Sequence, residues 1–266
     1  MDEIASLQNP RVKYVVKLRE DKRQRKMDGL TIVEGKYELE ISIASGLTPK
    51  EVYYCSEFAG QIPQLLRSIN SKTVSRHVFE KMSQRENPDG WIAIVPTPTR
   101  RLTTFISMKN PFFLLAESVE KPGNLGAILR TADASGVDGM IVTDPRVDLY
   151  NPNVIRASRG TVFTVPAVET ENQQALDWLK SRDIRLIASS PDAKTNYTEI
   201  QYSGPVCVLV GTEDKGLSDF WFKNVDKVVK IPMAGKVNSL NVSTSTAILL
   251  YEVVRQRSSS EDFPKL

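Results

Sequence analysis

Five short apolar runs dominate the C-terminal half of this chain: Phe112-Phe-Leu-Leu-Ala-Glu117, Met140-Ile-Val-Thr143, Arg185-Leu-Ile-Ala188, Pro205-Val-Cys-Val-Leu-Val210 and Val228-Val-Lys-Ile231. A strand that is apolar at successive positions must bury both faces, as happens in a mainly parallel sheet covered by helices on either side. The intervening segments agree. After the turn Lys121-Pro-Gly-Asn124, the residues Leu125, Ile128, Leu129 and Ala132 recur at helical spacing on one face. Further helices fit Gln173–Ser181, Asp219–Asn224 and Asn241–Gln256. Periodicity alone predicts an ordinary doubly wound α/β fold here.

The N-terminal half carries a smaller α/β pattern of its own. A helix is expected over residues 11–26, with Val12, Val15, Val16 and Leu18 as its apolar stripe. Strands follow at Leu30–Gly35, Glu51–Cys55 and Gly90–Val95, with helices over Tyr37–Ser45 and Gln61–Asn70. Pro96-Thr-Pro-Thr-Arg-Arg101 breaks the pattern and reads as a linker, which predicts domains over 1–105 and 106–266.

Composition excludes several classes. No apolar run is long enough to cross a bilayer, and Met1-Asp-Glu-Ile lacks the pattern of a secretory leader, so a cytoplasmic protein is expected. Cys55 and Cys207 lie in strand-like apolar surroundings and read as buried free thiols. The single histidine, His77, has no cluster of ligands around it, so no metal site and no histidine-based triad is expected. Net charge is only +3, but Arg11, Lys13, Lys17, Arg19, Lys22, Arg23, Arg25 and Lys26 face only Glu20 and Asp21 across residues 11–26. Such a run is either a solvated helix face or a surface that neutralises nucleic-acid phosphates.

Three segments have a chemistry that strands and helices alone do not require. Ser239, Asn241, Ser243, Thr244 and Ser245 crowd the start of the last helix, where one side-chain oxygen would serve as cap. Gly211-Thr-Glu-Asp-Lys-Gly216 leaves an apolar strand at its C-terminal end, the ligand-facing edge of a parallel sheet. Taken alone it is a tight strand-to-helix turn, its glycines permitting bends or close approach of a ligand. No G-x-G-x-x-G follows a strand, and no Walker loop is present. Ile231, Met233, Leu240 and Leu209 offer apolar walls of the kind an adenine ring needs, or plain core packing. The third segment, Glu117–Gly136, carries Asn124, well placed as a helix cap, and Arg130, which lies off the apolar stripe.

Together and in this order, Glu117–Gly136, Leu209–Ser218 and Ile231–Ala247 resemble the signature motifs of the SpoU/TrmH branch of the SPOUT superfamily, the RNA ribose 2′-O-methyltransferases. The resemblance spans about the last 160 residues. The family's Gly-x-Glu-x-x-Gly-Leu is met by Gly211, Glu213, Gly216 and Leu217. It implies a C-terminal SPOUT domain with a trefoil knot, a topology that general rules disfavour. It implies an S-adenosylmethionine pocket formed by Leu209, Val210, Gly211, Thr212, Glu213, Gly216, Ile231, Met233, Ser239, Leu240 and Asn241. Asn238 stands where many relatives carry an acidic residue. The implied catalytic set is Asn124, Arg130, Glu213, Ser239 and Asn241.

Arg130 matches the family's catalytic arginine, for which the resemblance implies, as one possible role, deprotonation of the attacking 2′-hydroxyl. A guanidinium pKa above about 12 favours a different role, gripping the adjacent phosphate and orienting the ribose. Asn151–Gly160 also resembles the family, with Arg156, Ser158 and Arg159 as phosphate contacts, although Arg159 stands where relatives hold a small or apolar residue. The N-terminal half resembles ribosomal RNA-binding modules. In that company Arg11, Lys13, Lys17 and Arg23 read as RNA contacts, and ribosomal RNA is expected over transfer RNA. The resemblance implies a homodimer and no metal. Two alternatives stay open: a catalytically silent RNA-binding or ribosome-assembly protein on the same fold, and a SPOUT enzyme that methylates a base.

Overall fold

The structure, a computed structural model, describes residues 3–60, 69, 71–105, 109–212 and 214–258. Its contacts divide the chain into two compact units. One comprises Met1–Thr99 with Asp148–Thr164, the other Arg100–Val147 with Val165–Leu266.

The first unit is built on strands β1 (Leu30–Glu34), β2 (Glu51–Tyr54), β3 (Ser71–Thr73) and β4 (Trp91–Pro96), in the order β1-β4-β2-β3. β4 is antiparallel to both neighbours, whereas β2 and β3 run parallel. The expected N-terminal helix is two helices, Pro10–Glu20 and Lys22–Asp28. Asp21 is extended, and its carboxylate caps the second helix by accepting from Arg23 N and Gln24 N at 2.7 and 3.3 Å. Val12, Val15 and Leu18 enter a core with Ile32, Tyr53, Phe79 and Ile94. The helix expected over residues 61–70 lies, apart from Ile69, outside the described residues.

Residues 148–164, placed with the second domain by the single boundary near 105, pack instead within the first unit. The reason is local. Thr31 Oγ1 donates to the Tyr150 carbonyl at 2.6 Å, and Arg25 donates through Nε and Nη2 to Asp148 Oδ2 at 3.1 and 2.6 Å. Arg25 is buried, so its charge requires that carboxylate.

The second unit holds β5 (Phe112–Glu117), β6 (Gly139–Thr143), β7 (Ala167–Thr170), β8 (Arg185–Ser189), β9 (Thr195–Asn196), β10 (Val206–Val210) and β11 (Lys227–Lys230). Their order is β7-β6-β5-β10-β8-β11-β9, and every pairing is parallel. β5, β6 and β10 are buried along their whole length, as continuous apolar runs demand. β7 and β9 escape the pattern because they are short and largely polar. Helices Pro122–Ser135 and Val242–Ser258 pack against each other. Cys55 and Cys207 are buried free thiols, and burial pushes the Cys207 thiol up.

Candidate active site

The carboxyl ends of three adjacent strands, β10, β8 and β11, open onto one cavity of about 560 Å³. This is the edge of a parallel sheet where ligands bind. From the end of β10 and the loop after it come Val210, Gly211, Thr212 and Gly216; from beyond β11 come Ile231 and Met233; the approach to the last helix adds Ser239 and Leu240. Leu209 does not reach the cavity. It lies fully buried beneath it, packed in the core with Trp221. Glu213 lies outside the described residues.

The loop after β10 closes on itself. Thr212 N donates to the Gly216 carbonyl at 2.9 Å and Gly216 N to the Thr212 carbonyl at 3.1 Å. Lys215 N donates to Thr212 Oγ1 at 3.0 Å. A Cβ on Gly211 would collide with the backbone carbonyl of Gly216. Glycine is therefore required at 211 for the loop to touch itself, which is the tight turn expected of this segment. Gly216 has φ 68, the left-handed region that glycine enters without strain.

Below the loop sits a buried carboxylate. Glu117, the last residue of β5, accepts from Ser218 N and Ser218 Oγ, each at 2.7 Å, and from Asn172 Nδ2 at 2.9 Å. Asn172 Oδ1 in turn accepts from Trp221 Nε1 at 3.0 Å. Glu117 thus ties the exit of the 211–216 loop to the centre of the sheet.

The polar cluster at 239–245 divides into separate tasks. Asn241 Oδ1 caps the last helix, accepting from Ser243 N at 2.9 Å and Ser243 Oγ at 2.6 Å. Its amide nitrogen then faces Asn124 and donates to Asn124 Oδ1 at 3.2 Å. Asn124 is not a cap: it is the third residue of Pro122–Ser135, whose capping position is Lys121. Ser239 is exposed and lines the cavity, with Asn238 Oδ1 at 3.5 Å from its hydroxyl. Ser245 also reaches the cavity. Arg130 is exposed and has no hydrogen-bonding or ionic partner among the described residues.

A family model described as the SpoU rRNA Methylase family matches residues 111–251. This chain belongs to that family. A second model, the MRM3-like substrate binding domain, matches residues 9–93. Among relatives of the SpoU rRNA Methylase chain is the 23S rRNA (guanosine(2553)-2'-O)-methyltransferase RlmP of Bacillus subtilis, 29% identical over 95% of this chain and 99% of its own. A crystal structure of an RNA 2'-O ribose methyltransferase superposes with a TM-score of 0.87 at 37% identity, covering 97% of this chain and all of that one. The AviRb SpoU methyltransferase of Streptomyces viridochromogenes, in complex with the cofactor AdoMet, reaches a TM-score of 0.86 at 27% identity, covering 95% and 99%.

The cavity of this SpoU methylase is also lined by residues that the sequence did not single out. Ser189, Ser190, Pro191 and Asp192 follow β8 and line the cavity, as does Phe222. The signal was a strand end, but its relevance depends on β8 lying beside β10, which only the sheet order reveals. In the first unit Arg11, Lys13, Lys17 and Arg23 are all exposed, with Arg11 3.6 Å from Glu51. Two other members of the basic run are structural: Arg25 is buried, and Arg19 donates to the carbonyls of Lys81, Met82 and Ser83 at 3.0, 3.0 and 2.8 Å. Arg156 and Arg159 are exposed, whereas Ser158 is buried and donates to the Ile155 carbonyl at 3.0 Å. Ser158 is therefore no phosphate contact.

Proposed function

We propose that this chain transfers a methyl group from S-adenosylmethionine to a ribose 2′-hydroxyl of RNA, ribosomal RNA in preference to transfer RNA. The observation that carries this reading is the meeting of separate motif segments at one sheet edge. The loops after β10 and β11 wall a single cavity, and Asn241 beside it is bonded to Asn124. The cavity size lies within the ~300–1,000 Å³ of small-molecule sites. Half-buried Phe222, Ile231, Met233 and Leu240 suit an adenine ring, while Thr212, Asp214, Lys215 and Ser239 suit the polar amino-acid end. The residues present therefore fit S-adenosylmethionine, which supplies a methyl group on a sulfonium leaving group.

The protein's part is then placement. Asn241, fixed by its capping bonds, aligns Asn124 at the start of its helix. Arg130, exposed and unengaged by described residues, grips the phosphate beside the target and orients the ribose for in-line attack. Glu213 remains in the proposed catalytic set. Arg11, Lys13, Lys17, Arg23, Arg156 and Arg159 supply the sequence-independent attraction for RNA. The reading includes a trefoil-knotted catalytic domain, a homodimer and a cytoplasmic location. It is supported by the motif resemblance and by the relative that acts on 23S rRNA. No helix among the described residues is long and apolar enough to cross a membrane.

The test is a map of 2′-O-methyl sites in ribosomal RNA from cells with and without the gene, using resistance of the neighbouring phosphodiester to cleavage. Loss of one protected site on deletion is expected. An unchanged map, together with no S-adenosylmethionine binding by calorimetry, would leave a silent RNA-binding protein. A lost base methylation would point to base chemistry instead.

A further inference from the structure

Tyr37 is about half exposed, at 48%, and the Arg159 guanidinium lies 4.6 Å from its ring centroid. Both belong to the first unit. The backbone beneath each is built to hold it there. Gly35, with φ 112, opens the turn, and a Cβ there would collide with Glu38 Oε2 and Arg85 Nη2. Arg85 donates to the Glu34 carbonyl at 2.7 Å and pairs with the buried Glu38 carboxylate at 3.1 Å. Asp89 Oδ2 accepts from Lys36 N at 2.8 Å. The first turn of the helix Lys36–Ala44, which carries Tyr37, is thus braced at its start.

Arg159 is held with comparable effort. Its φ of 56 is left-handed, a conformation that costs a non-glycine residue roughly 1–2 kcal/mol. The turn around it is fixed by Arg159 N to the Arg156 carbonyl at 3.0 Å and Gly160 N to the Ile155 carbonyl at 2.9 Å. Gly160 packs so close to Ile41 that a Cβ would lie 3.3 Å from it. Glu38 lies 3.9 Å from Arg159 Nε, which steers the guanidinium over the ring while leaving its side chain 53% exposed.

We infer that Tyr37 and Arg159 form a prebuilt stacking platform for an unpaired RNA base. Unpaired bases stack on aromatic rings and on guanidinium planes, and they do so with little regard to sequence. A platform already ordered loses little freedom on binding. Lys36 and Arg156, both exposed, favour a polyanion over a protein partner. The inference rests on the RNA-directed reading above and specifies how the first unit engages its substrate: by a base face as well as by phosphate charge.

The experiment measures binding of the full chain to a fluorescein-labelled single-stranded oligoadenylate and to a duplex of equal length, over a salt series. Tyr37→Ala should weaken single-strand binding about tenfold without changing the salt slope, and Tyr37→Phe should restore it. Arg159→Lys keeps the charge but loses the plane, so it should also weaken binding at unchanged slope. Wild-type affinity in Tyr37→Ala overturns the platform, as does full affinity in Arg159→Lys. A loss accompanied by a slope shallower by about 0.7 overturns it too, because that marks a lost phosphate contact. Absence of single-strand binding by the wild type assigns the surface to a protein and overturns it as well. Methyl transfer to ribosomal RNA is scored on the same preparations. A tyrosine-dependent grip without methyl transfer sinks the enzymatic reading alone; transfer with normal Tyr37→Ala binding sinks the platform alone.

Discussion

Asn241 donates its side-chain amide to Asn124 Oδ1 at 3.2 Å, joining residues 117 positions apart. The same side chain caps the last helix through its oxygen. The two jobs are separable because they use different atoms. Asn241→Asp keeps an oxygen for the cap but cannot donate to Asn124. It should leave the melting temperature close to wild type while methyl transfer falls by roughly a hundredfold, the scale of a misplaced reacting group. Asn241→Ala should lose both, with stability lower by about 1 kcal/mol. Wild-type methyl transfer by Asn241→Asp would remove the clamp from the mechanism.

Arg130 is exposed, so its replacement should change stability by no more than about 0.5 kcal/mol. Activity is another matter. Arg130→Lys retains charge but not the fork, and kcat/KM should drop steeply, with Arg130→Ala lower still. Near-full turnover by the lysine variant would count against bidentate grip.

Gly211 and Gly216 bound one loop for different reasons, and alanine should tell them apart. Gly211→Ala drives a Cβ into the Gly216 carbonyl and should abolish S-adenosylmethionine binding in calorimetry. Gly216→Ala meets open space and pays only for its φ of 68, about 1–2 kcal/mol. Its cofactor affinity should fall modestly. A reversed order of severity would mean that the loop does not close as described.

Glu117→Gln exchanges one accepting oxygen for a donor opposite donors. One of the three bonds from Ser218 and Asn172 must be lost, at about 1.5–3 kcal/mol for a charged acceptor. Thermal melts should shift down. Cofactor Kd measured well below the melting range should also rise, because Ser218 directly follows the pocket loop. An unchanged Kd would confine Glu117 to stability.

Glu252 sets an acid limit. Arg255 donates to both its oxygens at 2.8 and 2.7 Å and Gln256 adds a bond at 2.8 Å. These bonds, that of Arg255 foremost, hold the Glu252 carboxyl below its usual range despite burial. A depressed acid binds fewer protons folded than unfolded. Its contribution is complete above the unfolded value of about 4.3 and fades as pH falls through the folded one. Glu252→Gln should melt lower than wild type at neutral pH, and the gap should close on acidification. A gap constant with pH would contradict this.

The sheet of the second unit was legible because Val206–Val210 and its neighbours bury both faces and leave no alternation to misread. Thr195–Asn196 and Ser71–Thr73 carry no such pattern; they are strands only because a neighbour offers an open edge. The helix break at Asp21 was hidden because acidic residues also occur on solvated helix faces. Much of the cavity wall lies in the segments that carry the family resemblance, but Ser189–Asp192 does not, and no local property of that segment says that β8 lies beside β10. Leu209 shows the reverse failure: apolar character marks a wall and a core alike, and alternation along β10 turns it inward. The burial of Arg25 was invisible because its carboxylate, Asp148, is remote in sequence.

That pairing has a consequence in time. During synthesis residues 1–99 emerge with Arg25 lacking its anion and Thr31 lacking its acceptor, because Asp148 and Tyr150 have yet to be translated. The first unit is thus not finished when its own opening stretch is complete, although domains generally fold in the order they emerge. A fragment ending at Thr99 leaves a charge and a hydroxyl without the groups that satisfy them, and a nascent chain must wait for the ribosome to deliver a segment encoded well inside the next domain.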